Sequence, residues 1–372
     1  MTTFRSRTLL RTLAVLSMAV AMTLIFGAAL AGGLEKRSNP SAAEAESYWT
    51  PERFREARPL PRAGRSLAVS DLELQGSADA LPTAAAEGRG PVAGIRPDLQ
   101  NRLFEPLANG GAALAEKALT PSTGPASGST GAFFTSARLV PAAADQSYPY
   151  TTVGKLFFTI PGQGDFYCSA AALRARVVVT AGQCVHSGKA NPGFFTNFRF
   201  VPAYRSGAAP FGTWTWAYAA TTTTWSQGGG TVPNAADYGM IEVNDLTING
   251  VVRRLGDVVG FLGYQTQKLR PNHAHILGYT SSFDGGERMH QVTAQSFRAA
   301  SANNVEYGSD MRNGSSGGPL IQDFGDNPAL ARLIGVVSYF NAPAVKTQGS
   351  SIPDTRFTSL LNNVCAHRAG NC

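Results

Sequence analysis

Gly314-Ser-Ser-Gly-Gly-Pro319 presents a serine hydroxyl, Ser316, within a turn of small residues. Such a hydroxyl becomes a nucleophile only when a base removes its proton in the transition state and later returns it to the leaving group. Imidazole suits that task at neutral pH. Farther upstream, the β-branched run Val177-Val-Val-Thr-Ala-Gly-Gln-Cys184 ends in a small-residue turn whose polar side chain is an amide, Gln183. Between these segments Asp237 leads the run Tyr238-Gly-Met-Ile-Glu-Val243. The polar groups on offer are therefore a hydroxyl, a carboxylate and an amide. An amide accepts a hydrogen bond from a hydroxyl and donates to a carboxylate, but it takes up no proton at physiological pH.

In that chain order the three segments resemble the trypsin-like serine peptidases. In that family a Thr-Ala-Ala/Gly-His-Cys turn carries the base, an Asp before a strand orients it, and Gly-x-Ser-Gly-Gly-Pro carries the nucleophile. The resemblance covers most of residues 148–372. Tyr148-Pro-Tyr, Gly154-Lys-Leu-Phe-Phe158 and Cys168-Ser-Ala are similar to the bacterial secreted branch related to glutamyl endopeptidases. It implies Ser316 as nucleophile, Asp237 as orienting acid and Gln183 at the position of the family histidine. It implies an oxyanion hole from the backbone N–H groups of Gly314 and Ser316, which needs no side chain. Asp310, six residues before Ser316, falls where trypsin-like enzymes receive a basic side chain. Ser338, in Gly335-Val-Val-Ser-Tyr-Phe340, falls where the wall pairs with substrate backbone, and Phe340 falls where a small residue would open a deep pocket. That wall has no histidine, which argues against glutamate preference. Ser315 replaces the Asp that pairs with a newly cut N-terminus in trypsin itself.

Loss of the base alone costs about 10⁶ in turnover in a comparable triad and leaves about 10³–10⁴ over water. The expected activity is serine endopeptidase chemistry on peptide or protein substrates, crippled at the proton-transfer step. The other reading is a pseudopeptidase that binds peptides or a protein partner in the cleft without cutting them. His186 would reach the place of Gln183 only if its turn slipped by three residues. His273 and His275 share a strand face but have no third ligand in view, Asp284, Asp323 and Asp326 form no recognisable calcium loop, and His290 and His367 have no informative neighbours. No metal and no cofactor is expected.

The elements that must position these groups are short. About a dozen β-rich runs separated by Gly, Pro, Asn and Ser fill residues 148–372 without a long helical period, which indicates an all-β protein. Only Thr355–Asn363 reads as a helix. With the resemblance, the expected fold is two six-stranded antiparallel chymotrypsin-like β-barrels and a C-terminal helix. The chain has 372 residues, 43% hydrophobic and 15% charged, so it has material for a full core. Its net charge of +7 is scattered, with no basic run interleaved with aromatics, so nucleic-acid binding is not expected.

Before the barrels two further regions are expected. Arg5, Arg7 and Arg11, the apolar run from Leu13 to Ala31 and the small-x-small site Ala29-Leu30-Ala31 read as an export signal over 1–31. The protein is then secreted or periplasmic, released from the membrane after cleavage, and monomeric. Residues 32–147 lack cysteine and contain tracts such as 77–86 and 120–129, read as a low-complexity propeptide or disordered stalk. Short helices are expected near Pro51–Ala57 and Pro97–Leu119. The four cysteines suit an oxidising compartment and two pairs, Cys168 with Cys184 and Cys365 with Cys372.

Overall fold

The structure is a computed structural model that describes residues 33–61, 82–105, 130–131, 133–139, 141–300, 303–341 and 345–372. The export signal at 1–31, the tract at 120–129 and residues 106–119 of the helix expected near Pro97–Leu119 lie outside the described residues, and the described part of that expected helix, 97–105, is instead turns with an isolated bridge from Arg102 to Ala208. No helix among the described residues is long and apolar enough to cross a membrane.

The first barrel is built from β1 (Val153–Ile160), β2 (Gly164–Ala172), β3 (Val177–Thr180), β4 (Thr196–Pro202), β5 (Trp214–Thr222) and β6 (Gly239–Val243). All its pairings are antiparallel, and the sheet closes because β1 meets β4 while β4 also meets β5. β1 and β3 are buried almost throughout because both of their faces are covered, one by the barrel interior and the other by packed segments. Phe158, Phe198, Phe200, Trp214 and Trp216 are buried together inside the barrel. Cys168 on β2 and Cys184 beyond β3 form a disulfide with Cα atoms 6.2 Å apart.

The second barrel uses β7 (Gly263–Gln265), β8 (His273–Gly278), β9 (His290–Ala300), β10 (Asn304–Gly308), β11 (Pro319–Gln322), β12 (Arg332–Val336), β13 (Tyr339–Phe340) and β14 (Thr347–Ser351). The order runs β13-β14-β10-β9-β8-β11-β12-β7. The chain of β12 continues into β13, which returns to β14, and Ser338 N donates to Gly349 O at 2.8 Å. Ile276, Val292, Val305, Leu320 and Ile334 form its core. One expectation differs here. Residues 257–264 read as a strand, but Leu255–Val259 is a short helix ended by Gly260 at φ 76° before β7. The C-terminal helix α1 (Thr355–His367) packs Phe357, Leu360 and Val364 inward, and Cys365–Cys372 closes its end.

The region expected as a stalk is, where described, built onto both barrels. Leu34–Ser38 pairs antiparallel with β5, Arg58–Pro59 pairs parallel with β2, and Ala85–Ala86 extends β7. Phe134–Arg138 pairs with β9 over five residues. The helix expected near Pro51 is present as Pro51–Glu56, with Thr50 as its N-cap. Trp49 stacks on Phe54 at 4.8 Å between ring centroids, and Phe54 meets Phe157 edge-on at 5.0 Å. These few anchors, diluted among small residues, carry enough apolar area to order the segment.

Candidate active-site cleft

The turn before β11 is held by backbone contacts to β2 of the first barrel and to the residue after β12 of the second. Ser169 N on β2 donates to Ser316 O at 2.8 Å, and Gly317 N donates to Val337 O at 2.8 Å. Gly314 (φ 90°) and Gly317 (φ 78°) lie in the left-handed region that favours glycine. A Cβ on Gly314 would also approach the Tyr167 ring to 2.6 Å and collide with Tyr279 O. The sequence Gly-Ser-Ser-Gly-Gly is therefore dictated by the turn itself. Among the described residues, neither Gly314 N nor Ser316 N donates to a backbone carbonyl.

Gln183 lies in the single helical turn Gly182–Cys184. Its backbone N–H donates to Asp237 Oδ1 at 2.9 Å and its side-chain Nε2 to Asp237 Oδ2 at 2.7 Å. Nε2 also donates to Ser338 O at 2.7 Å. Gly182 must be glycine, since a Cβ there would lie 2.7 Å from the Trp225 ring and 3.0 Å from Asp237 Oδ1. Asp237 is fully buried and receives a further bond from Ser338 Oγ at 2.6 Å. The carboxylate is thus held by one backbone and two side-chain donors, the condition for keeping a charge inside a protein. Ser316 is 1% exposed, and among the described residues its Oγ has no hydrogen-bond partner. Gln183, Asp237 and Ser338 form one network, and the Ser316 hydroxyl stands outside it.

The side chain beside the serine is braced without charge. Ser315 Oγ donates to Arg312 O at 2.7 Å and accepts from Gln348 Nε2 at 2.7 Å, while Gln348 Oε1 accepts from Ser309 Oγ at 2.8 Å. This chain of neutral bonds holds the turn with the N-terminal region still attached. On the other flank, Lys155 is buried in barrel one and donates to Glu287 Oε1 at 3.0 Å beneath Tyr167 and Tyr204, which fastens the loop after β8 to the first barrel. Burial pulls the Lys155 amine below its ordinary range, against the opposing charge of Glu287.

Asp310 is 9% exposed, and its charge acts on the Arg312 guanidinium and on the buried His290 imidazole. The Arg312 guanidinium also lies over Phe340, 5.3 Å from the ring centroid. Asp310, Arg312 and Phe340 therefore form one group, and the sequence reading missed Arg312. Burial pushes His290 down to about 4 despite the nearby Asp310 and Asp284 carboxylates, and its Nε2 meets Ser136 Oγ at 2.6 Å.

His186 is buried, its Nδ1 accepts from Gly188 N at 3.0 Å, and burial lowers its pKa. It is a structural residue of the turn, with its carbonyl accepting from Trp225 Nε1. His275 stacks on Phe324 and bonds Thr293. Asp284 is paired with Arg138. Among the described residues no group of three metal-ligating side chains occurs.

The family model described as Trypsin matches residues 142–361. Protease Anisep from Arthrobacter nicotinovorans is 30% identical, covering 58% of this chain and 96% of that one, with a TM-score of 0.51. A Glu endopeptidase is similar in fold, at 16% identity over 64% of this chain and 99% of that one, with a TM-score of 0.50. No match is found among curated proteins. With the closed six-stranded barrel, the second sheet and the glycine-rich serine turn, these matches show that the chain belongs to the trypsin family of chymotrypsin-fold serine peptidases.

Proposed function

We propose that the protein is a secreted serine endopeptidase homologue, acting on peptide or protein chains through Ser316, whose hydrolytic step is impaired because Gln183 stands where the base belongs. The observation that carries this reading is the triple attachment of Asp237 to Gln183 N, Gln183 Nε2 and Ser338 Oγ. A carboxylate so placed orients a donor toward the serine turn, and the donor here is an amide. Gly314 N and Ser316 N supply the oxyanion hole, which works without the base. The residual chemistry is then stabilisation of a tetrahedral oxyanion with no group to remove the Ser316 proton. Asp310, flanked by Arg312 and His290, is not a simple acceptor for a basic side chain, and Phe340 narrows the pocket. The N-terminal 1–31 segment acts as an export signal, and the two disulfides fit an oxidising destination.

A second reading is favoured by one observation. Nε2 of Gln183 spends its hydrogens on Asp237 and Ser338 O, and Ser316 Oγ takes no bond from it. That arrangement suits a pseudopeptidase whose cleft binds a peptide strand. Labelling with a serine-directed fluorophosphonate, with the adduct mapped by mass spectrometry, separates the two. The peptidase reading expects near-background labelling that rises sharply at Ser316 in Gln183→His. Labelling that stays at background in both proteins supports the binding module.

A further inference from the structure

Beside the serine turn, one stretch of β2 offers its edge to an extended chain, and that edge is occupied. Leu60 N donates to Tyr167 O at 3.0 Å, continuing the parallel pairing of Arg58 with Phe166 and Pro59 with Tyr167. The Tyr167 ring borders Gly314, and Ser169, two residues on, holds Ser316 O. The position is therefore next to the proposed oxyanion hole. Leu60 and Pro61 then wall a cavity of about 440 Å³ with Phe166, Phe195, Trp225 and Gln183. Leu60 itself is 7% exposed.

The attachment is light. Pro59 and Pro61 have no N–H, so Leu60 supplies the one backbone donor of the three residues. Arg58 adds a bond to Gln163 O at 2.9 Å and lies over Phe166 at 4.6 Å. What holds the segment in place is its tether to the anchored Trp49–Phe54 helix region, which raises its effective concentration at the edge to the millimolar range.

We infer that the Phe166–Tyr167 edge and the adjoining cavity form a binding site for an extended apolar peptide segment, and that Arg58–Pro61 of this chain is its resident occupant. The inference rests on the cleft proposed at Ser316. A substrate strand crossing the serine turn toward β2 competes with Leu60 for Tyr167 O. On the opposite flank, Ser338 O already accepts from Gln183 Nε2. The chain's own groups thus occupy an acceptor on each side of the serine.

The test uses a fluorescein-labelled synthetic peptide of residues 51–61 and fluorescence anisotropy on the full chain. In the unmodified protein the tethered copy competes with the peptide, so only a large excess displaces it. In Leu60→Asp, which weakens the resident, the added peptide binds about tenfold tighter or more. Equal affinities in the two folded proteins overturn the inference. If Leu60→Asp does not fold, Leu60→Ala replaces it, and amide exchange at Leu60 in the unmodified protein is read alongside. Protection that an excess of the peptide abolishes supports the site, and protection unaffected by the peptide overturns it. In the Gln183→His protein, Leu60→Asp should also lower KM for a peptide substrate. Absence of hydrolysis in both of those forms sinks the peptidase reading alone, because the anisotropy needs no chemistry.

Discussion

At the scale of residues, the buried carboxylate of Asp237 sets the terms. It accepts from Gln183 N, Gln183 Nε2 and Ser338 Oγ, the last at 2.6 Å. Hydrogen bonds to a charged group contribute about 1.5–3 kcal/mol each. Ser338→Ala should therefore lower the stability of the folded protein by about that amount, read as a fall in the urea midpoint with an unchanged slope. A loss within about 0.5 kcal/mol would mean the carboxylate finds a replacement donor. Ser338 has partners that its place in the sequence does not reveal. The resemblance implies a partner for substrate backbone, and in the structure its hydroxyl also binds Asp237 and its carbonyl accepts from Gln183. Arg312 went unmarked because nothing in its spacing distinguishes it from any turn arginine. Only the fold sets it against Phe340 and within reach of the Asp310 charge.

At the scale of elements, the N-terminal segments behave as added strands and a helix. Pro51–Glu56 was legible because Thr50, Pro51 and Glu52 are start signals that act locally. The strands at 34–38 and 134–138 were not, since their pairing partners lie far away in sequence and their own composition is undistinguished. Phe54→Ala, which removes the ring between Trp49 and Phe157, should cost about 3–5 kcal/mol in a reversible urea titration. A cost below about 1 kcal/mol would show the helix to be an ornament on the barrel. The strand at 134–138 pairs with β9 beside the buried His290, and the burial of that imidazole makes stability depend on pH. His290 titrates near 4 when folded, against an ordinary value of about 6.5 when unfolded. The unfolded chain thus binds the extra proton first, so this group's penalty is absent above pH 6.5 and grows as pH falls to 4. It amounts to about 3 kcal/mol. His290→Gln should flatten the loss of stability between pH 7.5 and 4.5, with Asp310, Asp284 and Arg138 still in place. An unchanged acid slope would assign that loss to other groups.

At the scale of the whole molecule, the two-barrel plan was legible because short apolar runs, turn residues and one serine motif recur in a fixed order over residues 148–372. The engagement of residues 33–61, 82–105 and 133–139 with both barrels was not, because a handful of buried aromatics in a small-residue background does not alter composition averages. The cleft holds Asp237 bonded to Gln183 and Ser338, and a glycine-rich serine turn fastened to β2. The amide at 183 fills the space between Asp237 and Ser338 O. The central claim is that the proposed machinery lacks only its base. Steady-state hydrolysis of a casein or peptide substrate by Gln183→His, beside the unmodified chain and Gln183→His/Ser316→Ala, tests it most directly. Given a cost of about 10⁶ for loss of the base, the single variant should gain several orders of magnitude in turnover, and the added Ser316→Ala should remove the gain. An unmodified chain that already cleaves at an ordinary peptidase rate, or a folded Gln183→His protein that gains nothing, would contradict it.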